Sequence, residues 1–318
     1  MKNHNTIAEK IFQQHGLGFD GAVRAGGWTN AVWLNGGAVL RLSNERGNDR
    51  IRREAERSKS FPASVGYPEI IDAGVTDGYE WSLAKRVQGI VLSDVWGGLS
   101  WLEKVAAVKQ ILTIMNAVHT VDVCKVERLT LRRSWYNAFA RDNSLSEFNG
   151  YIKRDLFTPA QGRVLIDTLE RFYTALDRVT PVFCHGDITT DNLLWHDGNI
   201  VSLLDFEYSA TAPRLLDVHS LVNLALTQYD EAADKEIILF NSKQPEIRQY
   251  AGDMIALFKP FLASQSEKDL FLGDNVLFRQ RFFEFWLEKP EGGVENCDAY
   301  QKLLSFSDGS GGYLSALL

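Results

Sequence analysis

Hydrophobic and polar positions change rhythm several times along this 318-residue chain. Residues 5–15 carry apolar side chains at helical spacing and predict a short amphipathic helix. From Phe19 to Ser43 the period drops to two. Gly21–Ala25, Ala31–Leu34 and Ala38–Leu42 read as strands, and Asn35-Gly-Gly37 between the last two is a strong hairpin signal. Asn48–Ser60 is charged and helical in pattern, and Pro68–Ile71 and Glu80–Val87 read as two further strands. After Gly89 the period becomes mainly helical. Helices are predicted over Trp101–Val121, over 131–147 and over 160–178. A second hairpin then pairs Asn192–Trp195 with Ile200–Asp205 across His196–Asn199, and the pattern from Leu215 is helical to the end. Strands followed by helices predict an α+β chain in two lobes. The expected lobes are residues 1–87, a small antiparallel sheet with one inserted helix, and residues 88–318, with a hinge at Ala84–Gly89.

Composition narrows the classes. The chain is 45% hydrophobic, enough for a real core, yet no apolar run approaches the roughly 18 residues of a membrane helix. Its N-terminus lacks the apolar stretch of a secretory leader. Cys124, Cys184 and Cys297 are odd in number and widely spaced, suggesting neither a disulfide framework nor a metal knuckle. A cytoplasmic protein with no membrane role is expected. The net charge of −7 argues against nucleic-acid binding. Residues 1–87 hold 12 Lys and Arg against 10 Asp and Glu, whereas residues 88–318 hold 22 against 31, an acidic balance that reads as ordinary solubility charge, with attraction of cationic ligands as the alternative.

Candidate chemistry concentrates in Cys184-His-Gly-Asp-Ile-Thr-Thr-Asp-Asn-Leu-Leu-Trp195. The hairpin brings Asn192 and Asp205 to one end of a ribbon, with Asp187 just upstream. Two carboxylates and an amide supply hard oxygen ligands suited to Mg²⁺, or one carboxylate serves as base for a hydroxyl. The spacing Asp187-x-x-x-x-Asn192 matches a kinase catalytic loop, and Leu204-Asp-Phe206 resembles the metal-binding Asp-Phe-Gly with Glu207 in place of Gly. Gly26-Gly-Trp-Thr-Asn30 lies between strands and offers backbone N–H groups for phosphates. Gly16-Leu-Gly-Phe-Asp-Gly21 fits a dinucleotide fingerprint but follows a helix and enters a strand, so it reads as a helix cap and connector. Arg41 alternates with Leu40 and Leu42, and Glu54 on the next helix is placed to pair with it and aim it at phosphates. The basic run Arg50, Arg52, Arg53, Arg57 and Lys59 reads as a solvated helix face. His185 is expected to be a structural hydrogen-bonding residue, and His119 and His219 packed ones. Asp217 either ties the catalytic loop down or simply opens a helix.

The motifs GGWTN, VLRLS, RREAE, HGDITTDN and LLDFE, in this order across residues 20–225, resemble the aminoglycoside phosphotransferase family. That family belongs to the protein-kinase-like superfamily, beside choline, homoserine and fructosamine kinases. The resemblance implies a bilobal protein-kinase-like fold, with an antiparallel-sheet N-lobe that binds nucleotide and a mainly helical C-lobe that binds the acceptor. It implies ATP between the lobes, with GTP as the alternative nucleotide, and Mg²⁺. By it Asp187 is the base, Asn192 and Asp205 hold metal, and Arg41 with Glu54 positions phosphates. Gly26, Gly27, Trp28, Thr29 and Asn30 cover the phosphates, and Lys85, Arg86 and Val87 meet adenine. Arg41 stands where Lys is commoner.

Only Glu207–Leu215 separates Asp205-Phe206 from the next apolar helix, too little for a peptide-docking segment, so the expected partner is a small-molecule hydroxyl acceptor. Candidate lining residues are Trp135, Tyr136, Phe139, Glu207, Tyr229, Asp230, Glu231 and Phe282–Trp286, an aromatic and acidic set suited to an amine-bearing molecule, although side chains at helical spacing read more readily as core. An aminoglycoside or other antibiotic is the acceptor that the resemblance suggests. A metabolic kinase of choline, homoserine or amino-sugar type, and a catalytically weak nucleotide-binding regulator, are the alternatives.

Overall fold

A computed structural model of the chain describes residues 2–25, 30–126, 138–230, 235–290 and 292–318. The chain opens with helix α1 (Lys2–Gln14), whose Ile7, Ala8, Ile11 and Phe12 recur at helical spacing and are buried. Gly16 ends it in the left-handed region, and Leu17 N–H bonds back to the Phe12 carbonyl at 2.9 Å. The Gly16–Gly21 stretch is thus a helix cap and connector. Strands β1 (Val23–Ala25), β2 (Asn30–Asn35), β3 (Ala38–Arg46), β4 (Ile70–Thr76) and β5 (Tyr79–Lys85) form an antiparallel sheet in the order β1-β2-β3-β5-β4. Helix α2 (Arg50–Ser58) is inserted between β3 and β4. The sequence placed β4 too early and ran β5 on to Val87. Asp77 and Gly78, both at positive φ, set the turn between them and so the register.

Strand alternation sends Leu40 and Leu42 to one face of the sheet, where they join Ala31, Trp33, Trp81, Leu83 and the apolar face of α1 in one core. The opposite face takes Arg41 and α2. The buried carboxylate of Glu80 on β5 anchors the start of α2, accepting from Ile51 N–H at 3.2 Å and pairing with Arg52 Nε at 2.5 Å. An anion there also suits the positive end of the helix.

The chain continues through β6 (Ile90–Val91), α3 (Leu92–Trp96), α4 (Trp101–Val118), α5 (Val123–Val126), α6 (Ala138–Lys153), α7 (Pro159–Leu176), β7 (Val182–Cys184), β8 (Leu193–His196), β9 (Asn199–Leu203), β10 (Ala210–Ala212) and α8 (Leu215–Leu226). It ends with β11 (Thr227–Asp230), β12 (Lys235–Ile238), α9 (Pro245–Phe258), α10 (Gln265–Glu288) and α11 (Asp298–Phe306). The helical pattern expected from Leu215 to the end is therefore interrupted by the β11–β12 hairpin, where Thr227 pairs with Ile238 and Asp230 with Lys235. Along β11 the β-branched Thr227 and aromatic Tyr229 alternate with Gln228 and Asp230, a strand pattern between two helices.

The chain divides into two compact units. One holds Met1–Gly98, Gln110–Thr130 and Thr190–Ser209, and the other Leu99–Lys109, Leu131–Thr189 and Ala210–Leu318. In the second unit, capping boxes start α7 (Thr158 with Gln161) and α10 (Ser264 with Glu267). These two helices approach closely enough that a methyl group on Gly273 would lie 2.2 Å from Phe172 Cβ. Phe148, Tyr151, Phe157, Phe172, Phe271 and Phe283 fill that unit's interior. Among the described residues, no helix is long and apolar enough to cross a membrane.

Candidate active site

In the first unit the site is built around one carboxylate. Glu54 sits in α2 facing the sheet and is 1% exposed. Its Oε2 accepts from Arg41 Nη1 at 2.7 Å. Its Oε1 accepts from the Tyr67 hydroxyl at 2.8 Å and from Phe206 N–H at 2.9 Å. Arg41 reaches further, and its Nη2 meets Asp205 Oδ1 at 2.9 Å. Burial works against the charge of Arg41, but the carboxylates of Glu54 and Asp205 outweigh it and hold its pKa above the ordinary value. The guanidinium stays charged and spans two acids, a task that suits its forked geometry.

Asp205 comes after β9. The hairpin does bring it beside Asn192: Leu193 pairs with Leu203, and Leu204 N–H donates to the Asn192 carbonyl at 2.8 Å. Asp205 itself adopts φ 61° and ψ 68°, a left-handed conformation rare for a non-glycine residue. Its two C-terminal neighbours hold that conformation. Phe206 is fully buried between Phe61, 4.3 Å away between ring centroids, and Tyr67, at 5.6 Å and 81°. Its N–H is bound to Glu54. Glu207 comes next and accepts from Asn30 Nδ2 at 3.4 Å, linking the start of β2 to the turn after Asp205. Gly26, Gly27, Trp28 and Thr29 lie outside the described residues.

Arg57 departs from the sequence expectation of a solvated face. It is 3% exposed and donates from Nη1 to Ser209 Oγ at 2.7 Å, while Ser209 Oγ donates to the Phe206 carbonyl at 2.7 Å. Burial, and then the neighbouring charge of Arg53, pull its guanidinium down to about 10. The reason is geometric: this face of α2 packs on the turn at residues 206–209 rather than on water. Arg52 and Arg53 are paired with Glu80 and Asp49.

At the end of β5, Lys85 N–H donates to the Glu69 carbonyl at 2.8 Å and Arg86 N–H to the Gly37 carbonyl at 2.7 Å. Both backbone donors are thus engaged within the protein, while the Lys85 side chain pairs with Glu69 at an exposed position.

Asp187 belongs to the second unit, on the loop leaving β7. β7 pairs antiparallel with β10, Cys184 opposite Ala210. The loop then turns through Gly186 at φ 85°. His185 is fully buried, and its Nδ1 accepts from Asp187 N–H at 3.1 Å, the structural part expected of it. Asp217, fully buried in the first turn of α8, accepts from His185 N–H at 3.0 Å and from Gly186 N–H at 2.7 Å. Of the two readings left open for Asp217, the loop anchor holds, and its place at a helix start comes with it. His219 is buried, as expected, against Asp274 at 2.5 Å and the Phe278 ring at 5.1 Å.

Of the proposed acceptor-lining residues, Phe283 is a core residue whereas Phe282 and Phe285 are exposed on α10. Trp135, Tyr136 and Glu231 lie outside the described residues, as do the side chains of Phe139, Tyr229 and Asp230. Tyr67 was missed by sequence reasoning. Its only sequence mark is its place between Gly66 and Pro68 in a connector.

The profile of the phosphotransferase enzyme family, APH, matches residues 20–251. No curated protein sequence matches the chain. Among solved structures, the GDP complex of wild-type aminoglycoside 2'-phosphotransferase-IIIa is similar at TM-score 0.62 and 15% identity, covering 98% of this chain and 99% of that one. ADP-bound aminoglycoside phosphotransferase APH(2'')-Ib gives TM-score 0.60 at 15% identity, with 98% and 99% covered. A ternary complex of a thermostable mutant of aminoglycoside phosphotransferase APH(4)-Ia with ADP and hygromycin B gives 0.57 at 14%, with 95% and 97% covered. At such identities the structures speak for the fold, which is the kinase-like α+β fold of these enzymes, with an antiparallel sheet in the N-terminal part and helices in the C-terminal part. The family match spans well over half the sequence, and the chain belongs to the phosphotransferase enzyme family, APH.

Proposed function

We propose that this phosphotransferase moves the γ-phosphoryl group of ATP onto a hydroxyl of a small, cationic acceptor such as an aminoglycoside. The observation that carries the reading is the Glu54–Arg41–Asp205 chain of contacts at 2.7 and 2.9 Å, one cation held by two acids at the mouth of the β8–β9 hairpin. In this reading Arg41 binds the nucleotide phosphates and Glu54 aims it. Asp187 accepts the proton of the acceptor hydroxyl as its oxygen attacks the γ-phosphorus. The bond from that phosphorus to the bridging oxygen breaks, and ADP leaves.

Asn192 and Asp205 are the residues that would hold Mg²⁺. Their oxygen-only donor set fits a hard cation, and the bound metal would neutralise charge on the phosphates. The remaining residues act without it. Asn30 packs its amide against Glu207. Lys85, Arg86 and Val87 form the adenine-meeting segment. Since Lys85 and Arg86 spend their N–H groups inside the protein, recognition there falls to carbonyl oxygens and to Val87. The complexes formed by the similar structures, with GDP, ADP, kanamycin and hygromycin B, support nucleotide binding and an amine-bearing acceptor.

The test is Mg²⁺-dependent ADP or GDP release from ATP and GTP, with aminoglycosides, other hydroxylated antibiotics, choline, homoserine and amino sugars as acceptors. Release stimulated by an acceptor and abolished in Asp187→Ala is the expected result. Stimulation by choline or homoserine alone would make the chain a metabolic kinase. Tight nucleotide binding with no turnover on any acceptor would favour a regulator.

A further inference from the structure

We propose that Tyr67 is a positioning residue for phosphoryl transfer, acting through the Glu54 carboxylate on Arg41 and on the backbone just after Asp205. The inference rests on the functional reading above and assigns a role to a residue outside the motifs.

Three donors converge on Glu54, and two of them share Oε1: the Tyr67 hydroxyl at 2.8 Å and Phe206 N–H at 2.9 Å. Arg41 occupies Oε2. A buried carboxylate with both oxygens bonded has one orientation available. Arg41 divides its two Nη atoms between Glu54 and Asp205. If Asp205 is drawn to a cation, Glu54 remains to keep the guanidinium aimed. Its orientation then depends on the Tyr67 hydroxyl and on Phe206 N–H, and the latter is a backbone group of the segment that must itself be held.

Tyr67 is suited to this by its own anchoring. Gly66 adopts φ +67°, and a methyl group there would lie 2.1 Å from the Val201 carbonyl oxygen, so the connector sits directly on β9. Pro68 then restricts Tyr67 to extended backbone. The ring meets Phe61 edge-on at 5.3 Å and 88°, and Phe206 at 5.6 Å and 81°. Burial, and then the charge of Glu54, push the phenol well above its ordinary pKa. The hydroxyl therefore remains a hydrogen-bond donor throughout the working pH range.

Tyr67→Phe keeps the ring contacts and removes only the donor. Acceptor-independent, Mg²⁺-dependent ATP hydrolysis, in which water replaces the hydroxyl, provides turnover without a known acceptor, and calorimetry with Mg²⁺ and AMP-PNP provides binding. Tyr67→Phe is expected to lower kcat about tenfold, equivalent to ~1.4 kcal/mol, with KM for ATP changed less than about twofold. The deciding readout is a double-mutant cycle. In a Glu54→Ala background, which removes both acceptor oxygens, Tyr67→Phe should cost no further activity. If Glu54→Ala turnover falls below detection, the same cycle is read on exchange of the Phe206 amide, which shares Glu54 Oε1 with the Tyr67 hydroxyl. An equal loss in both backgrounds would make Tyr67 a packing residue and overturn the proposal, as would an unchanged kcat in the folded single variant. A wild-type chain that neither binds AMP-PNP nor releases ADP would instead remove the functional reading on which the proposal stands.

Discussion

Substituting Asp217 with Asn is the sharpest test of how the loop that carries Asp187 is held. The Asp217 carboxylate is fully buried and takes two backbone donors, His185 N–H at 3.0 Å and Gly186 N–H at 2.7 Å, one on each oxygen. Asn is nearly isosteric but keeps a single acceptor oxygen. Its amide nitrogen would face the other backbone donor, so one charge-assisted hydrogen bond is lost and one buried N–H is stranded. A hydrogen bond to a charged group contributes about 1.5–3 kcal/mol, and a stranded buried donor costs about 1–3 kcal/mol. Allowing for relaxation of the loop, a local penalty of roughly 3 kcal/mol is expected. It should fall on the loop, because the remaining turns of α8 are buried through Val218, Leu221 and Val222 and do not depend on it. Native-state amide exchange reads this directly. At ~1.4 kcal/mol per decade, the Gly186 amide should exchange on the order of 10²-fold faster, with little change in α8. With Asp187 as the proposed base, turnover should fall as well, since its N–H is set by His185. Gly186 exchange accelerated less than about threefold would show that Asp217 does not anchor the loop.

The same geometry sets three further expectations. Gly66→Ala combines a left-handed φ with a 2.1 Å contact to the Val201 carbonyl and should destabilise by about 3 kcal/mol or more, measured by the urea midpoint at constant slope. Arg41→Lys replaces a fork that spans two carboxylates with a point charge, so turnover should fall roughly tenfold although lysine is the commoner residue in the family resemblance. His15 donates from Nδ1 to the Ile11 carbonyl at 2.8 Å and meets Asp72 Oδ2 through Nε2 at 2.9 Å. The backbone hydrogen bond first, and then Asp72, raise its pKa above 6.5 against a smaller burial effect. A raised folded-state pKa means that the protonated ring is stabilising below pH 6.5 and that this contribution is lost as pH rises through the folded value. NMR titration of His15 should therefore give an apparent pKa above 6.5 that moves down in Asp72→Asn.

The parts of the site legible in the sequence are those whose geometry comes from local periodicity. Period two puts Arg41 on the face opposite Leu40 and Leu42, a hairpin brings Asn192 and Asp205 to one end, and glycine after His185 opens the loop. Each needs only a few neighbouring residues. Tyr67 and Arg57 were not legible, because both depend on partners far along the chain: Tyr67 packs on Phe206, and Arg57 reaches Ser209, 152 positions away. A hydrophobic pattern also carries a built-in bias, since it assigns polar residues to water. That assumption misplaced Arg57, because α2 packs one face on a polar interior made of Glu54, Arg57, Ser209 and the backbone of Phe206. Burying such groups is costly unless every one is bonded. A helix that accepts the cost on one side, while Ile51 and Ala55 bury normally, is organised by its charged contacts as much as by its apolar ones. Such departures from local consistency are expected where a fold holds a working site. The residues that break the pattern here, Glu54 and Arg57 on α2, are the ones bonded to the segment just after Asp205.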